Sequence, residues 1–298
     1  MKKTYWADLN ALLDPETEYA EIYRNLTLHE FPWDLNQALS FALFRTYAVP
    51  SVGNLLDRTG EFTQRVQKRY DDTALLLEAP LVHGFASIDG KAGIKRVNQM
   101  HKMYDISDDD LRYVLATFVV VPQRWLDDFG WRRLSDGEVR ASVNYYRELG
   151  RLMAIPDVPE TFDDFASLMD TYEAEHFAFD EGARRVADST LRLMTSFYPK
   201  PGARAVDVFS RALMDEPLLA AFRYADPGPV ARRLSRGALR ARARVVALLP
   251  PRRKPRFIKD LPRIKSYPDG YRLDDLGTFA PGCPVLHEPG ADRPTGSD

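Results

Sequence analysis

The chain of 298 residues is poor in cysteine and in the long apolar stretches of membrane proteins. Its one cysteine, Cys283, excludes a disulfide framework and a zinc site built from cysteines. The longest apolar run, about Val114–Pro122, is far shorter than the ~20 residues of a membrane-spanning helix. The first residues, MKKTYWADLN, lack the apolar stretch of a secretory signal. We therefore expect a cytoplasmic protein with no signal peptide and no transmembrane helix.

A strong charge of one sign and the common catalytic motifs are also missing. The 41 Lys and Arg are balanced by 43 Asp and Glu, and a formal net charge of −2 argues against a general nucleic-acid binder. We find no motif for a dinucleotide, a phosphate-binding loop, a zinc protease or a nucleophilic serine. Histidine chemistry is limited to five residues, namely His29, His83, His101, His176 and His287.

Helical periodicity dominates the pattern that is present. Apolar residues recur at helical spacing in residues 35–48 and 54–78, and neither alternating strand patterns of any length nor long repeats are visible. Three helix starts are marked by a hydroxyl residue with an acid three positions later, at Ser107–Asp110, Ser135–Glu138 and Thr161–Asp164. We predict an all-α protein, with one multi-helix domain over residues 1–250 and a basic, Pro-rich C-terminal extension over residues 251–298.

The C-terminal part is basic before it becomes rich in Pro, Gly and Asp. Residues 228–265 contain 13 Lys and Arg but a single acid, Asp260. We predict a basic helix over residues 230–249, and disorder over residues 280–298. The basic residues either pair with acids of the domain itself or attach residues 228–265 to the surface of an anionic membrane. The candidate acids for the first alternative are Asp108–Asp110 and Asp163–Asp164.

Residues 95–104 read KRVNQMHKMY and contain the first candidates for chemistry. Arg96 presents five donors in a fixed fork that suits a carboxylate, and the His101 imidazole can bind a transition metal. Helical spacing predicts that Arg96, Met100 and Tyr104 share a face, with His101 close to it. The pair can serve a heme, with His101 toward the iron and Arg96 toward a propionate. The alternative is a half-buried histidine bonded to a carbonyl group.

The remaining histidines have weaker contexts. His176 follows Glu173 and Glu175 in MDTYEAEHFAF, which suits either a metal ligand or a pH-sensitive surface group. His83 precedes a glycine and is predicted to lie at a helix end or in a turn. His29 and His287 fall in segments that we predict to be peripheral.

Four segments, taken together, resemble one family of oxygenases. They are RVNQMHKMYDISDDDLRYVLATFVVVPQRWLDDFGWRRLSDGE at 96–138, YYRELGRLMAIPDVPETFDDF at 145–165, YEAEHFAF at 172–179 and YPDGYRLDDLG at 267–277. The family includes the fungal mycophenolic-acid-pathway oxygenase (MpaB-like), which is bound to the endoplasmic reticulum, and the catalytic domain of the bacterial rubber oxygenase, the latex-clearing protein. The resemblance covers about residues 75–277.

The resemblance implies a globin-like helical domain that binds heme b and uses O2 to cleave a carbon–carbon double bond in an isoprenoid substrate. Arg96 matches the arginine of the heme-facing helix in that family, and His101 matches the histidine that follows it. We therefore predict Arg96 and His101 as catalytic residues and His101 as the iron ligand, with His176 as the alternative. The predicted cofactor contacts are Arg96, Gln99, Met100, His101, Tyr104 and Thr117.

Two departures from the family pattern leave other functions open. Members often carry a histidine in a W-V-H-A-T pattern, and Leu115 stands in that position here, within Tyr113–Thr117. The second iron ligand of the rubber oxygenase, a lysine, would fall near Gln99, and the membrane anchor of the fungal member is not visible. The alternatives are a non-catalytic carrier of a hydrophobic ligand and a membrane-surface adaptor acting through residues 228–265. The expected partners are a hydrophobic small molecule and O2, without nucleic acid.

Overall fold

The structure, a computed structural model, describes residues 2–278, and this part of the chain is helical without any strand. The α-helices are α1 Tyr5–Asn10, α2 Tyr19–Asn25, α3 Pro32–Tyr47, α4 Pro50–Arg58, α5 Glu61–Gln64, α6 Val66–His83, α7 Ile88–His101, α8 Asp108–Phe129, α9 Asp136–Leu152, α10 Phe162–His176, α11 Glu181–Ser196, α12 Lys200–Leu213, α13 Glu216–Ala221 and α14 Gly228–Leu248. The all-α prediction is confirmed. Cys283, His287 and the predicted disorder of residues 280–298 lie outside the described residues.

The three predicted helix starts are confirmed, and each has the expected cap. The hydroxyls of Ser107, Ser135 and Thr161 accept hydrogen bonds from the backbone N–H groups three residues later. Only Ser135 completes the reciprocal capping box, because the Glu138 carboxylate accepts a 2.9 Å hydrogen bond from the Ser135 N–H. The Asp110 carboxylate instead accepts hydrogen bonds from the hydroxyls of Ser107, of Ser51 on α4 and of Tyr172 on α10.

Two predicted helical stretches are shorter in the structure than in the sequence pattern. The stretch 54–78 is divided into α4, α5 and α6, because Gly60 turns the chain with a φ of +73° and Arg65 leaves the helical region. Helix α7 ends at His101, so Tyr104 lies beyond the helix and does not share its face with Arg96. The prediction of a common face for Tyr104 was wrong.

Helix α8 is the central element and contributes to two hydrophobic cores. Its second half packs against α3 and α14, in a core where Phe44, Leu126 and Val186 are buried. Its first half packs against α9 and α10, in a core where Val119 and Tyr146 are buried. Burial of large aromatic and branched side chains on both halves makes α8 the scaffold around which the other helices are placed.

A third, smaller core holds the end of the described chain against α6 and α7. We call residues 256–277 the strap, since they cross the α6–α7 hairpin and contain two single 3₁₀ turns, Ile258–Asp260 and Leu273–Asp275. The Arg256 N–H donates to the Leu28 carbonyl over 2.9 Å, and Leu276 is fully buried. Leu75 and Leu76 of α6 are the strap's buried apolar partners.

The predicted basic helix is confirmed as α14, and its ion pairs differ from those that we expected. Arg232, Arg236 and Arg242 pair with acids of the domain, namely Asp226, Asp128 and Asp34. None of the α14 ion pairs involves Asp108–Asp110 or Asp163–Asp164 within residues 2–278. In the same range, no helix combines the length and the apolar character that crossing a bilayer requires.

Candidate functional site

Arg96 lies at the interface between α7 and the strap. Its side chain is buried, and its Nε donates a hydrogen bond of 2.6 Å to the Leu276 carbonyl. Burial lowers the pKa of Arg96, and the nearby acids Asp274, Asp275 and Asp72 act in the opposite direction. A guanidinium is charged at any physiological pH, so Arg96 places a fixed positive charge under the strap.

Met100 occupies the same face of α7 as Arg96, one turn later. It packs against the end of the strap, and a Cβ atom at Gly277 would collide with its sulfur. Gly277 also has a φ of +82°, a left-handed conformation that other residues adopt at a cost. The close approach of the strap to α7 therefore depends on a glycine at this point.

His101 is the last residue of α7, and the charge of Arg69 on α6 acts on its imidazole. Five residues along a helix correspond to about 140° around its axis, so Arg96 and His101 point in different directions. The His101 side chain is half-buried, and burial followed by the positive charge of Arg69 lowers its pKa to about 4. The imidazole is therefore uncharged near neutral pH and has a nitrogen lone pair available to a metal.

The low pKa of His101 predicts a stability difference in acid. The unfolded chain binds a proton at this residue near pH 6.5 and the folded chain at about 4, so stability is lost as the pH falls between these values. A shift of this size corresponds to about 3 kcal/mol over the whole window. We expect the free energy of unfolding, measured with urea and without added cofactor, to fall more steeply with acid for the original chain than for His101→Gln.

The comparison with His101→Gln removes the contribution of the carboxylates, which titrate in the same range in both proteins. Glutamine keeps a polar side chain of similar size but has no proton to gain in this window. Parallel pH profiles for the two proteins would contradict the low pKa of His101.

Buried carboxylates of α6 hold the strap. They accept hydrogen bonds from its N–H and O–H groups and form no salt bridge with the side chains of residues 256–277. Asp71 accepts hydrogen bonds from the backbone N–H groups of Lys265 and Ser266 over 3.0 and 2.9 Å, and from the Ser266 hydroxyl over 2.7 Å. Gln67 donates to the other Asp71 oxygen over 2.8 Å. Asp71 thus replaces water for two backbone N–H groups of a segment that has little regular structure.

Asp72 and Glu78 extend the same arrangement to the two ends of the strap. Asp72 accepts hydrogen bonds from the Gly277 N–H over 3.0 Å and from the Tyr267 hydroxyl. Glu78 accepts from the backbone N–H groups of Ile258 and Lys259. Three acids of one helix therefore fix the strap over its length. We did not predict that these acids hold another segment, although the sequence shows two consecutive acids just before the apolar TALLLEAP segment.

The other predicted cofactor contacts lie in different parts of the structure. Gln99 is exposed on the outer face of α7. Thr117 is fully buried in α8, and its hydroxyl donates to the Val114 carbonyl of the same helix over 2.7 Å. Arg96 and Met100 are thus the predicted residues that lie together, and the cofactor roles of all six stay predictions.

His176, the alternative iron ligand, is an exposed residue at the end of α10. Its ring stacks on Tyr172 with a centroid distance of 3.9 Å, and its Nδ1 lies 2.9 Å from the Tyr172 carbonyl oxygen. No three His, Cys, Asp or Glu residues are grouped for a metal ion anywhere in residues 2–278. The metal-binding role of His176 stays a prediction.

Leu115, at the position where the family pattern has a histidine, is a packing residue here. It is buried in the core between α8 and α9, and a Cβ atom at Gly150 would lie 2.7 Å from its Cδ2 atom. Val158 closes the other side of Gly150. The leucine therefore fills its position tightly, and a glycine on α9 makes room for it.

A second buried polar cluster connects α3, α8 and α10, and the sequence did not predict it. Arg45 donates a hydrogen bond from its Nε to Glu173 Oε1 over 2.7 Å, and another from its guanidinium to Asp215 over 2.6 Å. The Tyr113 hydroxyl donates to Glu173 over 3.1 Å, and this acid raises the pKa of Tyr113 in addition to burial. Because its donors and acceptors are paired with one another, this cluster joins the helices.

Two cavities lie away from Arg96 and His101. One, of about 440 Å³, is lined by Tyr19, Asn144 and Arg147 between α2 and α9. The other, of about 190 Å³, has an apolar wall that includes Trp125 and Met169. Neither is lined by residues of α7 or the strap.

Comparisons with known proteins give the family of the chain. Residues 37–248 match the family described as ER-bound oxygenase mpaB/B′/Rubber oxygenase, catalytic domain. The chain is 30% identical over 247 residues to ER-bound oxygenase mpaB′ of Penicillium brevicompactum, and 31% identical over 246 residues to ER-bound oxygenase mpaB of the same fungus. It is 30% identical over 244 residues to ER-bound oxygenase mpaB of Penicillium roqueforti.

Each of these alignments covers 76% of the chain. They cover 58% and 62% of the two Penicillium brevicompactum proteins and 82% of the Penicillium roqueforti protein. The chain thus spans about three fifths of the length of the first two relatives. The family match takes in α4 to α14 and most of α3, including both candidate residues of α7. The chain belongs to the mpaB and rubber oxygenase catalytic-domain family.

Proposed function

We propose that the chain is an oxygenase that uses heme b and O2 to cleave a carbon–carbon double bond in a hydrophobic, isoprenoid-like substrate. The observation that carries the proposal is the placement of His101 at the end of α7, the helix that also holds the buried Arg96. The relatives named as oxygenases support the general class of reaction. Heme dependence and the isoprenoid substrate come from the family resemblance of the segment 96–138.

The donor chemistry of the α6–α7 hairpin fits a heme. A metal ligand must be deprotonated, and the lowered pKa of His101 provides a neutral imidazole at physiological pH. Heme propionates need positive charges with good hydrogen-bonding geometry, and arginine is suited to this role. Arg96 and Arg69 are the two guanidinium groups of this hairpin that would hold them.

A bound heme supplies the activation of O2, and the protein supplies binding, orientation and the exclusion of water. His101 would hold the iron through an imidazole nitrogen that carries no proton. Arg96, whose Nε is held by the Leu276 carbonyl, would donate from its remaining N–H groups to a propionate. The apolar side chains of Val97 and Met100, which pack in the core beneath the strap, would keep water away from the hydrocarbon chain of the substrate.

The overall reaction balances without an external reductant. Cleavage breaks the C=C double bond of the substrate and the O–O bond of dioxygen, and each alkene carbon receives one oxygen atom. The products are two carbonyl compounds, and one O2 is consumed for each double bond.

The direct test is hemin titration of the purified chain, followed by turnover. We expect a Soret band that saturates at one heme per chain, and O2 uptake when an isoprenoid alkene is added. With ¹⁸O₂, both new carbonyl groups should contain the label. The matched control is the hydrogenated isoprenoid, which has the same shape and no double bond, and it should cause no O2 uptake. Saturable heme binding without carbonyl products would contradict the proposed reaction.

Leu115 favours a second candidate function, a non-catalytic carrier of a hydrophobic ligand. A buried leucine replaces a family histidine at this position. A carrier would be stabilised by the isoprenoid alkene and by its hydrogenated analogue to the same extent. It would give no Soret band on hemin titration.

A further inference from the structure

Helix α14 exposes several large apolar side chains to solvent, although it belongs to the folded domain. Exposed apolar residues that stand alone are ordinary on protein surfaces, but a contiguous group indicates an interaction site. Four of the large apolar residues of α14 are more than half exposed, namely Val230 (71%), Leu234 (68%), Val245 (58%) and Leu248 (87%).

These residues form one continuous stripe along the helix. Together with the exposed Ala241, they fall within about 60° around the helix axis. The opposite side of the helix carries the residues that pack against the domain, Ser235, Leu239 and Ala243. The stripe therefore points directly away from the protein and is not part of its core.

The arginines of α14 divide into an inner and an outer set. Arg232, Arg236 and Arg242 form ion pairs with acids of the domain. The outer set, Arg233, Arg240 and Arg244, is exposed along one flank of the stripe. Within residues 2–278 these three form no ion pair, and α14 itself contains no acid. Pairing with the domain's own acids thus accounts for only half of these cations.

We propose that the outer face of α14 binds the surface of an anionic lipid bilayer. An apolar stripe flanked by cations is the pattern of a helix that lies in the plane of a membrane interface. The apolar residues would enter the boundary between headgroups and acyl chains, and the arginines would contact lipid phosphates. The inference is independent of the proposed oxygenase reaction.

The surroundings of the C-terminal end of α14 extend the same surface. Helix α14 is followed by Leu249, Pro250 and Pro251, and then by exposed Arg252, Arg253 and Lys254. Lys3 donates to the Val246 carbonyl over 2.7 Å, and the Trp6 indole donates to the Arg252 carbonyl over 2.9 Å. The amino terminus is thus held beside this end of the helix, where it adds further cations and the half-exposed Tyr5.

Charge argues for lipid over a second copy of the chain as the occupant. If two α14 stripes packed together, two rows of arginines would meet along the seam without an acid to neutralise them. An anionic bilayer satisfies the apolar and the cationic parts of the face at the same time.

The test is co-sedimentation of the full chain with phosphatidylcholine vesicles, with and without phosphatidylserine, at low and moderate salt. We expect binding that requires phosphatidylserine and weakens with salt. Leu234→Ser combined with Leu248→Ser should weaken partitioning about tenfold or more, because it removes two inserted side chains. Changing Arg233, Arg240 and Arg244 to Glu should abolish binding at both salt concentrations.

Matched controls use exposed residues of the same kind elsewhere. Leu12→Ser and Ile88→Ser change exposed apolar residues, and the triple Glu variant of Arg58, Arg133 and Arg151 makes the same change in net charge. Both controls should bind vesicles like the original chain. Circular dichroism should give the same helix content for every variant.

Two results would overturn the proposal. One is the absence of sedimentation with phosphatidylserine vesicles at low salt. The other is self-association in sedimentation velocity that the Leu234→Ser, Leu248→Ser variant abolishes, with vesicle binding unchanged. That outcome would identify the stripe as a contact between copies of the chain.

Discussion

His101→Ala is expected to abolish or shift the Soret band in hemin titrations while its far-UV circular dichroism stays helical. In the proposed site this imidazole is the protein ligand of the iron, and alanine offers no donor in its place. His101 is the last residue of α7 and is half-buried, so we expect the helix to remain folded without its side chain. Hemin titration followed by absorbance measures the effect, and the apparent affinity should fall by 10-fold or more, about 1.4 kcal/mol.

The control for this experiment is His176→Ala. His176 is exposed on α10 and stacks on Tyr172, and its removal should leave the heme spectrum unchanged. If His101→Ala binds heme with the original spectrum and His176→Ala does not, the iron ligand is His176. If both variants bind normally, neither histidine is the ligand.

The helices were predictable because their signals are local. The caps at Ser107, Ser135 and Thr161 place a hydroxyl beside the N–H groups of the next turn, and such contacts depend on neighbouring residues alone. The basic helix α14 was predictable for the same reason, from its apolar spacing and from Pro250 after its end. The break at Gly60 was missed, because glycine in a periodic stretch does not reveal its φ.

The candidate site was predicted in part. Spacing placed Arg96 and Met100 on one face of α7, and the structure agrees. It did not indicate that the charge of Arg69 acts on His101, because this interaction joins two helices and depends on how they are rotated against each other. The end of α7 at His101 was also missed, and it removes Tyr104 from the predicted face.

The strap was not predictable as a structural element. It has no helical or strand periodicity, and its order comes from hydrogen bonds to acids almost 200 positions earlier in the chain. A pair of acids such as Asp71 and Asp72 in a helix normally indicates a solvated face, yet both are fully buried here. Family resemblance at YPDGYRLDDLG was the sequence signal within the strap itself that this segment packs with the helices.

Asp71→Ala is expected to destabilise the chain strongly through the strap. The substitution leaves the N–H groups of Lys265 and Ser266 without their acceptor and also removes the partner of the Ser266 hydroxyl. A buried donor that loses its partner costs about 1–3 kcal/mol, so we expect a total loss of about 3 kcal/mol in the free energy of unfolding. Urea unfolding followed by circular dichroism measures this loss.

Hydrogen exchange locates the effect, and Asp269→Ala provides the control. Asp269 is an exposed acid of the strap itself, and its replacement should change the free energy of unfolding by less than about 0.5 kcal/mol. In Asp71→Ala, amides of the strap should exchange faster than those of α8, because the strap loses its acceptor and the central helix keeps its core. Since Arg96 donates to the Leu276 carbonyl of the strap, a loosened strap should also weaken heme binding in the proposed site. Equal stability of Asp71→Ala and Asp269→Ala would mean that the apolar contacts of Leu276 hold the strap without Asp71.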